Sequence, residues 1–413
     1  MQASKVAELL LKSKRPLIHI GQGVRHAEKE FFRLLDVCPA PFVTARNGND
    51  LVSTEHPLNI GRPGTFAQRG ANFCVQLCDC YLAIGTRLSL TQTGYNSKDY
   101  ARNAQIIQVD IDQAELDKGT LRNPIKIRQD AKEFLTELLK ELEGKDLPDW
   151  SVWVKRCQYL RDKYPVCLPE YKDQKEYVNS FYFIDTLSDL SKTTDTIVTD
   201  MGFAFQNTHQ AWKIKKGQRL FTNCGLAPMG WGLPAAIGAA MATGGRVICI
   251  VGDGGLMMNI QELATVIHHK LNIKIFVLNN GGYLTIKQTQ QLGFDGRLMG
   301  VNRETGISFP DWWYIRAAHG ISIGHEFEII NHDNLDQKIA NSLFGDGPRL
   351  TVVEMSPDQP QAPRSVNRRN ADGTMNPTKL EDAYPFLPPE EIEEAMSTDF
   401  WIETKQKTTW RRK

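Results

Sequence analysis

Two apolar runs that bracket a helical pattern, each followed by a polar loop, constrain this chain more than any other feature of its sequence. Residues 247–251 run into Gly-Asp-Gly-Gly at 252–255, and residues 273–278 run into Asn-Asn-Gly-Gly at 279–282. The pattern predicts a βαβ unit whose loops lie at the carboxyl ends of parallel strands, where ligands bind in open α/β sheets. A carboxylate and two amides are hard oxygen donors, so the loops suit Mg²⁺ with a diphosphate and are poor for zinc.

Composition excludes several classes of protein. The 413 residues are 41% hydrophobic and 23% charged, which is enough apolar material for the cores of two ordinary domains. The formal net charge of +1 gives no electrostatic reason to expect nucleic acid or a membrane surface as a partner. No apolar run approaches the roughly 20 residues of a membrane-spanning helix, and the first residues lack the pattern of a signal peptide. We therefore expect a cytoplasmic protein.

Three cysteines that are close in sequence could be either metal ligands or ordinary thiols. Eight cysteines in an α/β chain are typical of reduced thiols in the cytosol. Cys74, Cys78 and Cys80 are close in sequence, but their spacing matches no common zinc pattern, and they lie where an apolar helix passes into a strand. We interpret them as core or surface thiols.

The first part of the chain alternates between strands and helices. Strand-like runs at 17–20, 41–44, 80–84 and 105–112 are separated by helical patterns, and a helix at 131–142 closes the series. Such alternation predicts a doubly wound parallel sheet with helices on both faces.

A second domain of the same class follows a linker that contains Gly, Pro and charges. A strand at 196–199, a glycine-rich loop at 225–234, a helix of small residues at 235–241 and a last strand at 349–355 surround the unit described first. We expect an α/β protein with two doubly wound parallel-sheet domains, Rossmann-like in form, and a C-terminal arm. The predicted boundaries are 1–145 for the first domain, 146–176 for a linker and helix, 177–356 for the second domain, and 357–413 for an arm with a basic tail.

The two loops and their spacing resemble the thiamine diphosphate motif. Residues 225–240 resemble the glycine-rich loop and helix of acetolactate synthase-like enzymes, and residues 1–142 resemble the central domain of that family. The resemblance extends to about residue 390. Residues 365–386 look closest to family members associated with the synthesis of surface-polysaccharide sugars. The resemblance implies thiamine diphosphate and Mg²⁺ as cofactors, and a thiamine diphosphate-binding fold for the second domain.

The same resemblance implies a set of site residues. Mg²⁺ would be bound by Asp253, the side-chain oxygen of Asn280 and the carbonyl of Gly282, with diphosphate oxygens and a water completing an octahedron. Met229 would lie under the cofactor, and the carbonyl of Ala227 would accept a hydrogen bond from its amino group. Further cofactor contacts would come from residues 200–205, which include Gly202, and from Gly252, Gly254, Gly255 and Tyr283.

These residues also have structural interpretations. Asp253 alone could cap the helix that follows it, the asparagine pair could form a turn, and Met229 could be a core residue. The metal interpretation is favoured because a carboxylate and amides occur together after two adjacent strands.

One part of the family's site has no counterpart in this sequence. The family activates its cofactor with a Glu beside the aminopyrimidine ring, and that Glu lies on an N-terminal domain. No Glu of this chain stands in a matching context, so the catalytic residue is unassigned. Three interpretations stay open: a fragment of a longer protein, a chain whose missing domain is a separate polypeptide, or a degenerate relative. The last would be a non-catalytic cofactor-binding or partner-dependent subunit.

Substrates and partners follow only from the resemblance. It implies decarboxylation of a 2-oxo acid such as pyruvate and transfer of a two-carbon unit to an acceptor carbonyl. Thr289 stands about where acetolactate synthases have a Trp that helps to choose the second 2-oxo acid, so a keto sugar is a hypothesis for the acceptor. Many members hold FAD, but the loop at 61–66 differs from the FAD-binding pattern, which leaves FAD an open alternative. The family's active sites lie between subunits, so a homo-oligomer or a partner chain is expected.

Overall fold

The computed structural model describes residues 2–369 and 372–398. It divides into two compact units, Met1–Val166 with Ala362–Lys413, and Cys167–Gln361. Within the described ranges, no helix combines the length and the apolar character that crossing a bilayer requires. The predicted basic tail at 405–413 lies outside the described residues.

The first unit is built on a parallel sheet. Its strands are β1 (Pro16–Ile20), β2 (Phe42–Thr44), β3 (Asn59–Gly61), β4 (Cys80–Ile84), β5 (Gln105–Asp110) and β6 (Ile125–Arg128). They lie side by side in the order β3-β2-β1-β4-β5-β6, and every pairing is parallel. The helices are α1 (Gln2–Lys12), α2 (Glu28–Val37), α3 (Arg69–Leu77), α4 (Leu90–Thr93), α5 (Gln113–Asp117), α6 (Ala131–Leu142) and α7 (Ser151–Lys163).

Burial explains why these apolar runs are strands of a doubly wound sheet. All five residues of β1 and all five of β4 are buried, as expected for strands covered by helices on both faces. Cys74, Cys78 and Cys80 are free thiols inside this core, and burial raises the pKa of Cys80 to about 12. They are therefore inert packing residues at neutral pH.

The second unit has a parallel sheet of the same size. Its strands are β7 (Thr196–Thr199), β8 (Arg219–Phe221), β9 (Val247–Gly252), β10 (Ile273–Asn279), β11 (Glu328–Ile329) and β12 (Arg349–Glu354). They follow the order β11-β12-β10-β9-β7-β8, again with parallel pairings. The helices are α8 (Ser180–Leu190), α9 (Phe203–Ala211), α10 (Gly232–Thr243), α11 (Asp253–Met257), α12 (Leu263–His268), α13 (Leu284–Gly293), α14 (Trp312–His319) and α15 (Leu335–Leu343). The predicted fold class, an α/β protein with two parallel sheets, is confirmed.

The helix expected after the Gly-Asp-Gly-Gly loop is interrupted. Two short helices, α11 and α12, replace one continuous helix between the two strands. At the break Asn259 leaves the helical conformation, with φ −138° and ψ 33°. Its side-chain amide donates to the carbonyl of Gly230 at 2.7 Å. The residue at the break thus connects this segment to the glycine-rich loop. No local sequence pattern predicts this contact.

The arm packs within the first unit. It contains an antiparallel pair, β13 (Asn367–Arg369) and β14 (Met375–Pro377), and the helix α16 (Pro389–Met396). Arg69 on α3 donates to the carbonyls of Ala383 at 3.1 Å and Pro385 at 2.7 Å, and Asn72 donates to Leu380 at 2.9 Å.

The division into units therefore differs from the predicted boundaries. Helix α7, which the sequence placed in a linker, packs on α3 and belongs to the first unit, and so does the arm from residue 362 onward. The physical reason is that polar side chains on helices of the first unit form hydrogen bonds with the backbone of the arm. For example, Arg156 of α7 donates to the backbone carbonyls of Glu394 and Ala395.

Candidate functional site

The two predicted loops lie side by side at one edge of the second sheet. Strands β9 and β10 pair in parallel, with Leu278 opposite Gly252. Asp253 follows the first strand directly, and the turn at 279–282 follows the second. Parallel pairing thus places the carboxylate and the asparagine turn next to each other, at the edge where α/β proteins bind ligands.

Asp253 is a buried carboxylate held only by backbone groups. The residue is only 2% exposed to solvent. One oxygen accepts from the Gly254 N–H at 2.7 Å, and the other accepts from Gly282 at 3.0 Å and Asn280 at 3.2 Å. Burial raises the pKa of Asp253 to about 7, against these hydrogen bonds, which lower it. In the described ranges no Lys or Arg forms an ion pair with it. A buried carboxylate without a cationic partner fits a metal ion.

The two asparagines have different surroundings. The Asn279 amide donates to both carboxylate oxygens of Glu354, each at 2.9 Å. The half-buried Asn280 donates through its backbone to Asp253, and its side chain makes no hydrogen bond within the described part of the chain. The Asn279 side chain is thus held in place by Glu354, whereas the described contacts leave the Asn280 side chain unengaged.

The glycines of the first loop are required by close packing. A Cβ on Gly254 would lie 2.3 Å from Cε1 of Tyr283, and a Cβ on Gly255 would lie 1.8 Å from an Asp200 oxygen. Gly282 is equally restricted, because a Cβ there would lie 2.1 Å from the carbonyl of Val301. The Gly254 N–H, at a position predicted to contact the cofactor, donates to the Asp253 side chain in this structure. Helix α11, at five residues, is also shorter than expected.

Asp200 has a role that the sequence did not indicate. It is fully buried at the end of β7. Its two oxygens accept from the backbone N–H groups of Gly232 at 3.0 Å and Gly230 at 3.2 Å. Burial raises the pKa of this carboxyl group, and the backbone hydrogen bonds lower it. Asp200 therefore anchors the glycine-rich loop. An Asp at the end of a strand, before a second glycine-rich segment, was the available signal.

The glycine-rich loop exposes the residues predicted to hold the cofactor rings. Met229 is 37% exposed, and its neighbour Leu226 is 85% exposed. The core interpretation of Met229 is therefore wrong. Ala227 adopts a left-handed conformation with φ +53°, which is costly for any residue except glycine. Such strain, close to exposed apolar side chains, is typical of a binding loop.

The remaining predicted positions join the same neighbourhood. Gly202 begins α9 with φ +69°, and a Cβ there would lie 3.7 Å from the Thr285 side chain. Tyr283 lies against Gly254 and makes an edge contact with Phe309 at 5.6 Å between ring centroids. Asp200 contacts both Gly255 and the loop at 230–232. The predicted segments around 202, 229, 253 and 280 are therefore linked by direct contacts within the second unit.

The donor set fits Mg²⁺ with a phosphate-bearing cofactor. The predicted ligands are one carboxylate, one amide oxygen and one backbone carbonyl, all oxygen donors. In residues 2–369 and 372–398, no group of three or more His, Cys, Asp or Glu side chains could hold a metal alone. Three protein oxygens would leave positions for phosphate oxygens and water, which is how Mg²⁺ is usually bound.

Family comparison identifies the class of protein. Residues 3–138 match the thiamine pyrophosphate enzyme central domain, and residues 200–355 match the C-terminal TPP binding domain of the same enzymes. The second match contains Asp200, Asp253 and the asparagine turn. The chain belongs to the thiamine pyrophosphate enzymes.

Within this class the chain is similar to acetolactate synthase large subunits. It is 32% identical to that of Cyanidium caldarium over 363 residues, which cover 84% of this chain and 59% of the relative. A probable acetolactate synthase large subunit of Methanocaldococcus jannaschii is also 32% identical, covering 86% and 60%. The isozyme 2 large subunit of Escherichia coli K12 is 29% identical over 400 residues, covering 94% and 64%. The chain thus spans about 60% of the length of the relatives it matches.

Proposed function

We propose that this chain binds thiamine diphosphate with Mg²⁺ and serves in acetolactate synthase-like chemistry. The reaction would be decarboxylation of a 2-oxo acid such as pyruvate, followed by transfer of the two-carbon unit to an acceptor carbonyl. The observation that carries the proposal is Asp253, a buried carboxylate without a cation beside an unengaged Asn280 amide. The family matches, which include these residues, support the same cofactor.

Each residue of the site has a definite task in this proposal. Asp253, Asn280 and the Gly282 carbonyl would hold Mg²⁺, and Ala227 and Met229 would support the cofactor rings. When bound, thiamine diphosphate supplies the carbon nucleophile and electron sink of the reaction. The protein contributes binding, orientation and exclusion of water around that centre.

We assign no catalytic acid–base residue to this chain. The activating Glu would come from a further domain, either in a longer polypeptide or in a partner chain. The relatives support this assignment, because about 40% of their length lies outside the aligned region. FAD is not needed for this chemistry, and a flavin absorption spectrum of the purified protein would add it to the cofactors.

The exposed face of helix α10 supports an interaction with another protein chain. Only Gly232, Leu233, Ala236 and Ala240 of this helix are buried, and Met241 is 60% exposed. The helix contains no charged residue. Helices that are apolar all round are normally buried, so we propose that α10 packs against a second copy or the chain that supplies the missing domain.

One residue of helix α13 bears on which carbonyl compound accepts the two-carbon unit. Thr289 is exposed, and its hydroxyl donates to the Thr285 carbonyl at 3.0 Å. A small polar residue at this position leaves room for an acceptor with hydroxyl groups, such as a keto sugar. Product analysis with the complemented enzyme and a panel of carbonyl acceptors tests this, and turnover confined to pyruvate would rule it out.

Calorimetry tests the cofactor site. We expect thiamine diphosphate to bind in the presence of Mg²⁺, and Asp253→Ala to abolish the binding heat. Asp346→Ala, which removes an exposed carboxylate elsewhere in the unit, is the matched control and should bind normally. Equal binding by the Asp253 variant would remove the metal assignment. Cofactor binding without turnover after the missing domain is supplied would favour a non-catalytic subunit.

A further inference from the structure

Glu354 clamps the residue that precedes the proposed metal ligand Asn280. It ends β12, directly opposite Asn279 at the end of β10. Both of its carboxylate oxygens accept from the Asn279 amide at 2.9 Å. The backbone adds a second connection, because the Met355 N–H donates to the Asn279 carbonyl at 2.8 Å. Side chain and main chain of Asn279 are therefore both fixed to the neighbouring strand.

The surroundings of Glu354 show that it is not placed there for an ion pair. It is half-buried, and in the described ranges no cationic side chain pairs with it. It lines a cavity of about 330 Å³ together with two further carboxylates, Glu328 and Asp311. Burial raises the pKa of Glu354, and these two neighbours raise it further, while the bond from Asn279 lowers it. Among the described residues, the amide of Asn279 is thus the direct partner that compensates this carboxylate.

The turn at 279–282 depends on this clamp for its position. On one side it is held by the Asp253 carboxylate, which accepts from Asn280 and Gly282. On the other side it is held by Glu354 through Asn279. The turn is thereby held between two carboxylates, one after β9 and one at the end of β12, the strands on either side of β10. Loss of either anchor would leave the ligand oxygens less well placed.

We propose that Glu354 is a positioning residue for the Mg²⁺ site. By fixing Asn279, it sets the orientation of the turn that presents Asn280 and Gly282 to the cation. The inference rests on the proposed function. It goes further in assigning a role to a residue on a third strand, which does not itself touch the metal.

Metal affinity and selectivity test the proposal. In the full chain with saturating thiamine diphosphate, we expect Glu354→Ala to weaken Mg²⁺ binding by about 10-fold, the lower end of the range for partners of metal ligands, because Glu354 acts through the neighbouring Asn279. Ca²⁺ binding should fall less, because Ca²⁺ tolerates irregular coordination whereas Mg²⁺ requires a near-ideal octahedron at short distance. General destabilisation would weaken both ions alike. Glu354→Gln keeps one acceptor oxygen and should lie between the wild type and the Ala variant.

Two controls make the test specific. Glu304→Ala removes an exposed carboxylate from the neighbouring cavity, which also contains Glu354, and should leave both affinities unchanged. Asn279→Ala should weaken Mg²⁺ binding as much as Glu354→Ala, and the double variant should be no worse than either. Additive losses would contradict the clamp. If Glu354→Ala fails to fold, Glu354→Gln and Asn279→Ala still give the comparison.

The result separates this inference from the proposed function. If the wild type does not bind the cofactor with Mg²⁺, or if Asp253→Ala binds equally well, the metal site itself is wrong. If the wild type binds and Asp253→Ala does not, but Glu354→Ala keeps wild-type Mg²⁺ affinity and selectivity, only the positioning role is overturned.

Discussion

At the scale of single residues, two buried aspartates organise the second unit in different ways. Asp200 is satisfied by the backbone N–H groups of Gly230 and Gly232, so its charge is used to anchor a loop. Asp253 also accepts from backbone N–H groups, but two of them belong to the asparagine turn that carries the other proposed ligands. Burial raises the pKa of Asp253 to about 7, and a nearby cation would favour its charged form. The two residues therefore differ in the loop that each one holds.

Gly254→Ala should disrupt the site, because the added methyl group would meet the Tyr283 ring at 2.3 Å. We expect loss of cofactor binding and a loss of stability of about 1–3 kcal/mol from overpacking. Gly245→Ala is the control, since its methyl group would meet Thr243 at an ordinary 3.6 Å and should change stability by less than about 0.5 kcal/mol. Chemical denaturation with calorimetry measures both. Normal binding by Gly254→Ala would contradict the packing described.

His19 should make the first unit sensitive to acid. It is fully buried between Tyr81 and Gln92, and burial lowers its pKa to about 3. The unfolded chain takes up this proton near pH 6.5 but the folded chain does not, so stability is lost as the pH falls from about 6.5 towards 3, at about 1.4 kcal/mol per pH unit. His19→Gln should show a shallower loss in denaturation curves. The same slope in both proteins would contradict a buried neutral imidazole.

At the scale of elements, the site depends on how strand ends and loops are joined. The glycine-rich loop is held by Asp200, which directly follows β7, and by Asn259 from the break between α11 and α12. Both contacts come from outside the loop. Within the loop itself, Ala227 and Gly230 both have positive φ values.

Asp200→Ala should release the glycine-rich loop, because two backbone N–H groups lose their acceptor. We expect faster amide hydrogen exchange at 225–232 and unchanged exchange in the core strand β9. Mass spectrometry of peptic fragments measures this directly. Unchanged protection of the loop would show that Asp200 does not anchor it.

Parts of this arrangement could be predicted from local sequence and parts could not. Hydrophobic runs and following glycines locate β9, β10 and their loops, and parallel pairing then requires the loops to be neighbours. The bond between Asn279 and Glu354 joins residues far apart in sequence, and so does that between Asn259 and Gly230. Such contacts are decided by tertiary packing, and no local period or capping signal encodes them.

At the scale of the whole molecule, the position of the C-terminal arm could not be predicted from local sequence either. The sequence placed it as a separate segment because prolines and charges interrupt any period. In the structure Glu381, although 3% exposed, forms an ion pair with Arg102 at 2.5 Å and accepts from Gln76 at 3.0 Å. A charged arm residue is thus part of the first unit's interior.

Glu381→Ala should destabilise the first unit by about 1–3 kcal/mol, because the buried Gln76 amide loses an acceptor. The loss is limited because Arg102 is partly exposed and keeps its ion pair with Asp99 at 2.8 Å. Scanning calorimetry should show the lower transition assigned to this unit, while the temperature shift caused by thiamine diphosphate with Mg²⁺ stays that of the wild type. A reduced ligand-induced shift would contradict the assignment of the arm to the first unit alone.

The purified chain should show no turnover by itself, since we assign the carboxylate that activates the cofactor to a further domain and not to this chain. We expect no pyruvate-dependent release of carbon dioxide, even with saturating thiamine diphosphate and Mg²⁺. Measurable release by the isolated chain would show that one of its own residues activates the cofactor.

The central claim is that this chain binds the diphosphate and metal end of the cofactor, and it is tested most directly by comparing thiamine diphosphate with thiamine. Titration calorimetry with and without Mg²⁺ should show binding of thiamine diphosphate only when Mg²⁺ is present. Thiamine, which lacks the diphosphate, should not bind under either condition. Binding of thiamine, or binding of thiamine diphosphate that is independent of Mg²⁺, would contradict the role given to Asp253 and the asparagine turn.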